Sequence, residues 1–114
     1  MNTKLVALQN RLSSKTLFDA LILQLNKDFY LANIDFSFDA TLTFNQLYSS
    51  LANKISDIFN NEYDTYLNLI YRIDLSEKKL LNIKTNDVEE VIKSVTLLVL
   101  EREIQKILLR FKFQ

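Results

Sequence analysis

The stretch from Asn86 to Phe111, NDVEEVIKSVTLLVLEREIQKILLRF, is the longest uninterrupted helical pattern in the chain and holds its most hydrophobic run, Val95 to Leu100. Val88, Val91, Ile92, Val95, Leu98 and Val99 form one stripe at helical spacing. Leu97, Leu100, Ile104, Ile107, Leu108 and Phe111 form another, rotated from the first. A helix apolar nearly all round is buried between other elements or in a subunit interface. Asn86 reads as its cap, with Glu89 three residues on as in a capping box, and Asp87, Glu89 and Glu90 set negative charge beside the unpaired N–H groups. At the far end Arg102, Lys106, Arg110 and Lys112 set positive charge toward the free carbonyls. Ser94 to Leu100 alone would suit a strand, but both flanks keep the helical period. The helix should be roughly 38 Å long, enough to cross a small domain.

The remaining composition fits one domain over residues 1–114. With 48% hydrophobic and 25% charged residues the chain has the means to bury a sizeable core. Its net charge is zero, divided as +3 over 1–15, −5 over 16–74 and +2 over 75–114, so overall basicity gives no argument for nucleic acid. The chain has no Cys and no His, which excludes disulfides, zinc fingers, haem ligation, a thiol nucleophile and an imidazole base. It has no Gly, which excludes the glycine turns of dinucleotide folds, P-loops and nucleophile elbows, where a Cβ obstructs the backbone. No cofactor and no metal centre is expected. Lacking Gly and Pro, the chain must end its helices on Asn, Asp, Ser and Thr. No apolar run approaches the roughly 20 residues that span a bilayer, and a cytoplasmic protein is the expectation.

In chain order, residues 3–12 read as a short helix or an arm. Ser13 is a cap candidate, with Leu12 and Leu17 spaced as a hydrophobic staple, for a helix that buries Leu17, Phe18, Leu21, Ile22, Leu25, Phe29 and Ala32 and ends near Asn33. Asp19, Gln24 and Asp28 are assigned to its opposite, polar face. Over 34–42 the period changes: Ile34, Phe36 and Phe38 alternate with Asp35, Ser37 and Asp39, the pattern of an extended segment with one buried face. The only other alternating stretch is Phe111-Lys112-Phe113, so the segment is expected to be a loop whose aromatics plug a bundle rather than a paired strand. Thr43 with Gln46 makes a capping box for a helix along Phe44, Leu47, Tyr48, Leu51, Ile55, Ile58 and Phe59. A further helix over about 61–73 carries Tyr63, Tyr66, Leu67, Ile70, Tyr71 and Ile73, and Ser76 caps a short one reaching about Ile83.

The run Leu69-Ile-Tyr-Arg-Ile-Asp-Leu-Ser-Glu-Lys-Lys-Leu80, followed by Glu101-Arg-Glu-Ile-Gln-Lys-Ile107 and Arg110-Phe111, resembles a group of short hypothetical bacterial helical proteins. The resemblance covers mainly the second half of the chain. It implies a bacterial cytoplasmic helical protein and transfers no activity and no site.

Few residues point to chemistry. Arg102, Lys106 and Arg110 fall four apart on one helix face, where cations meet phosphates or an acidic partner, and where they also complement the helix dipole. Arg72 and Asp74 flank Ile73 and are read as a structural ion pair, with Glu77 or a glutamate of the long helix as other partners for the arginine. Asp35, Ser37 and Asp39 match the first ligand positions of an EF-hand loop, but Ala40 stands where Gly is required and Gln46 where the bidentate Glu belongs. The tyrosines at 63, 66 and 71 and the phenylalanines at 36, 38, 111 and 113 suit a ligand pocket or base stacking, yet aromatics at such spacing more often pack a core.

The sequence therefore predicts an all-α antiparallel helical bundle of four main helices plus one or two short ones, with the long C-terminal helix central. Leu, Ile, Val and Phe number 44 of 114 residues, more than a small domain buries easily, so surplus apolar surface is expected to meet a second copy or another protein. The predicted function is non-enzymatic protein interaction or scaffolding with self-association. The alternative is weak, salt-sensitive nucleic-acid binding through Arg102, Lys106 and Arg110.

Overall fold

The structure, a computed structural model, describes residues 3–112. Six helices follow one another: α1 (Thr3–Arg11), α2 (Lys15–Leu31), α3 (Phe44–Asn61), α4 (Tyr63–Ile73), α5 (Glu77–Leu81) and α6 (Val88–Lys112). No strand occurs among the described residues. The bundle is built around α6, which packs against α1, α2, α3 and α4. Its longest dimension, 38 Å, is the length of that helix.

Both stripes of α6 are used. Ile92, Val95, Val99, Leu100, Ile104 and Ile107 are buried in one continuous core with Leu21, Leu25 and Phe29 of α2, Leu47, Leu51, Ile55 and Ile58 of α3, and Leu69 and Ile73 of α4. The doubly apolar middle is thus covered by the chain's own helices. Only its edge, Leu97 and Leu98, is left half-buried.

The polar residues that begin the helices act as the missing glycines and prolines require. Thr43 and Gln46 form the full capping box, Thr43 Oγ1 accepting from the Gln46 N–H at 3.2 Å and Gln46 Oε1 from the Thr43 N–H at 2.9 Å. Two caps differ by one residue from the sequence expectation. Ser14, not Ser13, caps α2 by accepting from the Leu17 N–H. Asp87, not Asn86, caps α6: its Oδ1 accepts from the Glu89 N–H at 3.0 Å, and a carboxylate there meets the dipole better than an amide. Helices α2 and α4 end on non-glycine residues in the left-handed region, Asn33 at φ 63° and Asp74 at φ 66°. After Asn33 the Ile34 N–H returns to the Phe29 carbonyl and the Asn33 N–H to that of Tyr30, a Schellman closure with asparagine in the place glycine usually takes.

Residues 34–42 form the expected loop plug, closing in a turn at Ala40 and Thr41. Ile34 and Phe38 are buried, and the Phe29, Phe36 and Phe38 rings meet at 5.0–6.4 Å. The backbone here needs no partner strand because Asn26 supplies one with its amide, donating to the Phe38 carbonyl at 3.1 Å and accepting from its N–H at 2.7 Å. Phe111 lies exposed at the end of α6, and Phe113 lies outside the described residues.

Candidate functional site

A groove of about 780 Å³ runs between α1, α5 and α6, within the size range of ligand sites. It exists because α5 is too short to cover α6: its five residues include none that is buried. Leu97 and Leu98 of α6, with Leu8 of α1 and Ile83 after α5, make its apolar lining. Lys4 and Arg11 of α1 and Lys84 stand at its sides, against Glu90 of α6. Lys79 also borders it but is neutralised by Glu101, 2.6 Å away. Beside this pair, Arg102 meets Asp74 at 3.3 Å, so two ion pairs fix the α4–α5 connection to α6. The result is a trough with an apolar floor and a mainly basic rim.

The residues singled out in the sequence go elsewhere. Arg72 and Asp74 do not pair with each other as expected. Asp74, left-handed after the last turn of α4, lies within reach of Arg102, and Arg72 Nε lies 3.5 Å from Asp28 Oδ1 on α2. Lys106 does not join a free basic face: its ammonium lies 3.1 Å from Asp28 Oδ2 and 3.0 Å from Glu103 Oε1. Arg102 binds Gln105 as well as Asp74. Of the three cations singled out in the sequence, only Arg110 is exposed. Asp39 uses its carboxylate locally, accepting from the Thr41 N–H at 2.7 Å and hydroxyl at 2.6 Å, which holds its pKa below the usual value. Among the described residues no three His, Cys, Asp or Glu side chains cluster to hold a metal ion. Tyr66 is core, packed edge-on to Phe59 at 5.0 Å and stacked with Tyr63, and burial pushes its hydroxyl up to about 12.

Gln24 and Asp28, which the sequence reading assigned to the polar face of α2, turn inward and meet Glu103 of α6. All three are buried, and Glu103 is fully enclosed. The signal was present: Asp28 is seven residues from Leu21 and Glu103 is four from Val99 and Ile107, so each lies on its helix's apolar stripe. Lys106 is close to Glu103 but outside hydrogen-bonding geometry, so neither Glu103 oxygen accepts a hydrogen bond. Burial, then the neighbouring Asp28 carboxylate, raises the Glu103 pKa to about 9 despite Lys106. A protonated Glu103 becomes a donor to Asp28. Burial alone would raise Asp28 too, but hydrogen bonds from Glu103, Gln24 and Lys106, with the charge of Lys106, hold it below the ordinary value. The pair resembles an acid beside its base, yet both carboxyls are sealed from solvent between α2 and α6.

No described helix is long and apolar enough to cross a membrane. Comparison with protein-family models, with curated proteins and with solved structures returned no match.

Proposed function

We propose that this chain is a non-enzymatic protein-interaction domain that receives an acidic amphipathic helix in the groove between α1, α5 and α6. The observation that carries the reading is the placement of Leu97 and Leu98. They are the part of the apolar α6 middle that the chain leaves half-covered, and they lie beneath a rim where Arg11 and Lys84 outnumber Glu90. From Glu90 to Glu101 the groove follows α6 for about 16 Å, three turns of helix. A partner helix of similar length presents apolar anchors at i, i+4 and i+8 to such a floor and carboxylates to such a rim. Nucleic-acid binding through the end of α6 has less support, because Arg102 and Lys106 are engaged in intramolecular ion pairs.

The test is a fluorescence-anisotropy titration with a labelled three-turn peptide carrying leucine at i, i+4 and i+8 and glutamate at its flanks, beside a copy with lysine for glutamate. The acidic peptide should bind with a Kd of about 1–100 μM, weakening with salt and in Arg11→Glu/Lys84→Glu, while the basic copy does not bind. No binding of the acidic peptide, or equal binding of both, would falsify the reading.

A further inference from the structure

Among the outward-facing apolar residues of the bundle, three on α4 make a row. Tyr63, Leu67 and Tyr71 are 52%, 45% and 88% exposed and follow one another at i, i+4 and i+8, so they line one face of α4 over about 12 Å. The charge left over at the start of this helix is acidic. Asp57 pairs with Lys54 and Asp74 with Arg102, which leaves Glu62 and Asp64, while the one cation of this stretch, Arg72, is turned toward the buried Asp28. This is a helix that the groove between α1, α5 and α6 is suited to receive: the anchor row, about 12 Å long, fits within the groove's length of about 16 Å, the apolar row faces its Leu97 and Leu98 floor, and Glu62 and Asp64 its Arg11 and Lys84 rim.

We infer that the occupant of the groove is α4 of a second copy of this chain, so that the protein associates through α4 on one molecule and the α1–α5–α6 groove on the next. The inference rests on the groove being a helix-binding site. The two surfaces use different residues, so the contact is between unlike faces. Two molecules that exchange α4 reciprocally close a two-fold dimer, and otherwise the contact repeats along an open assembly. In either case a molecule needs only one intact face to pair with a molecule bearing the other.

That requirement gives the experiment. Wild-type chain is compared by sedimentation with two variants, Tyr71→Ala/Glu62→Lys/Asp64→Lys for the α4 face and Arg11→Glu/Lys84→Glu for the groove, each checked for folding by circular dichroism. All the substituted side chains are exposed, so the fold should survive. Wild type should exceed its 13.4 kDa monomer mass at high protein concentration. Each variant alone should lose about tenfold or more in self-association, by charge repulsion and loss of an anchor. Reversing both charge sets in one chain, Arg11→Glu/Lys84→Glu with Glu62→Lys/Asp64→Lys, should restore association. A wild type that stays monomeric, or folded variants that associate as wild type does, overturns the inference. If the monomeric wild type still binds the acidic peptide, the groove reading stands and only the identity of its occupant fails.

Discussion

Two faces of α6 deal differently with residues that do not suit their surroundings. Toward α2 and α4, Glu103 and the Lys106 ammonium carry polar groups into the bundle and meet the buried Asp28. Toward α1 and α5, Leu97 and Leu98 carry apolar surface to the edge of an open groove. The charged face resembles a catalytic pair, and the apolar one resembles an unfinished core. Accessibility reverses that impression: enclosed carboxyls cannot meet a ligand, whereas a half-covered leucine pair under a basic rim can. A buried ionic group in this bundle fixes how helices dock, and exposed apolar surface is where recognition is sought.

The largest way to break the contrast is Lys106→Ala. It removes the one ammonium shared by Asp28 and Glu103 and leaves Asp28 enclosed with only Gln24, Glu103 and the longer Arg72 contact. Uncompensated buried charge makes this costly, about 3 kcal/mol in urea unfolding. A loss below about 1 kcal/mol, the range of exposed pairs, would mean that the site is wet and the contrast false.

Glu103→Gln tests the same face in the opposite direction. The Glu103 pKa is raised from 4.5 to about 9 on folding, so between those values the folded protein holds a proton that the unfolded chain has released. Its contribution is full below pH 4.5 and is lost as pH rises toward 9. Asp28 runs the other way: its pKa falls below 3.8 on folding, so its contribution is present above 3.8 and disappears as pH drops through the depressed value. Together they place this cluster's best stability on the acidic side of neutrality. Glutamine keeps the shape of Glu103, donates to Asp28 at every pH and cannot ionise. Glu103→Gln should therefore gain about 1–2 kcal/mol at pH 8 and flatten the decline in melting temperature between pH 5 and 9. A variant that is less stable at pH 8, or that keeps the wild-type slope, would show that Glu103 is ionised beside Lys106.

The sequence was informative about whatever depends on neighbours along the chain. The Thr43–Gln46 capping box, the central α6 and the aromatic plug at Phe36 and Phe38 follow from spacing alone, and the structure has them. What depends on the choice among distant partners was not legible. Arg72 had Asp74 two residues away and Glu77 five away, but it meets Asp28, 44 positions earlier, because packing of α2 on α4 decides which carboxylate comes near. The cations at 102, 106 and 110 share a helical face in sequence, but sharing a face does not tell whether it points toward solvent or toward α2. The charge of Asp28 suggests the polar face, although its position lies with Leu21 and Leu25. Position was the better guide, since burial follows the stripe and the charge then acquires partners. The groove was foreshadowed only as surplus apolar content. Its location depends on how little of α6 the five-residue α5 can cover.

The finest comparison uses one chemistry at two places. Lys79 and Glu101 lie 2.6 Å apart at the border of the groove, closer than Lys106 and Asp28 at 3.1 Å in the interior. If distance decided strength, the groove pair would matter more. Both of its side chains are about half-exposed, however, at 58% and 43%, so water and salt screen the attraction and ordering a long lysine offsets much of the gain. Lys79→Ala should then cost about 0.5 kcal/mol or less, vanishing in high salt, while Lys106→Ala keeps most of its penalty there. Urea unfolding of the two variants at low and high ionic strength measures this directly. A salt-insensitive loss at Lys79 comparable to that at Lys106 would show that the end of the groove is built as rigidly as the interior, and that the difference between the two faces of α6 lies in composition rather than in solvent access.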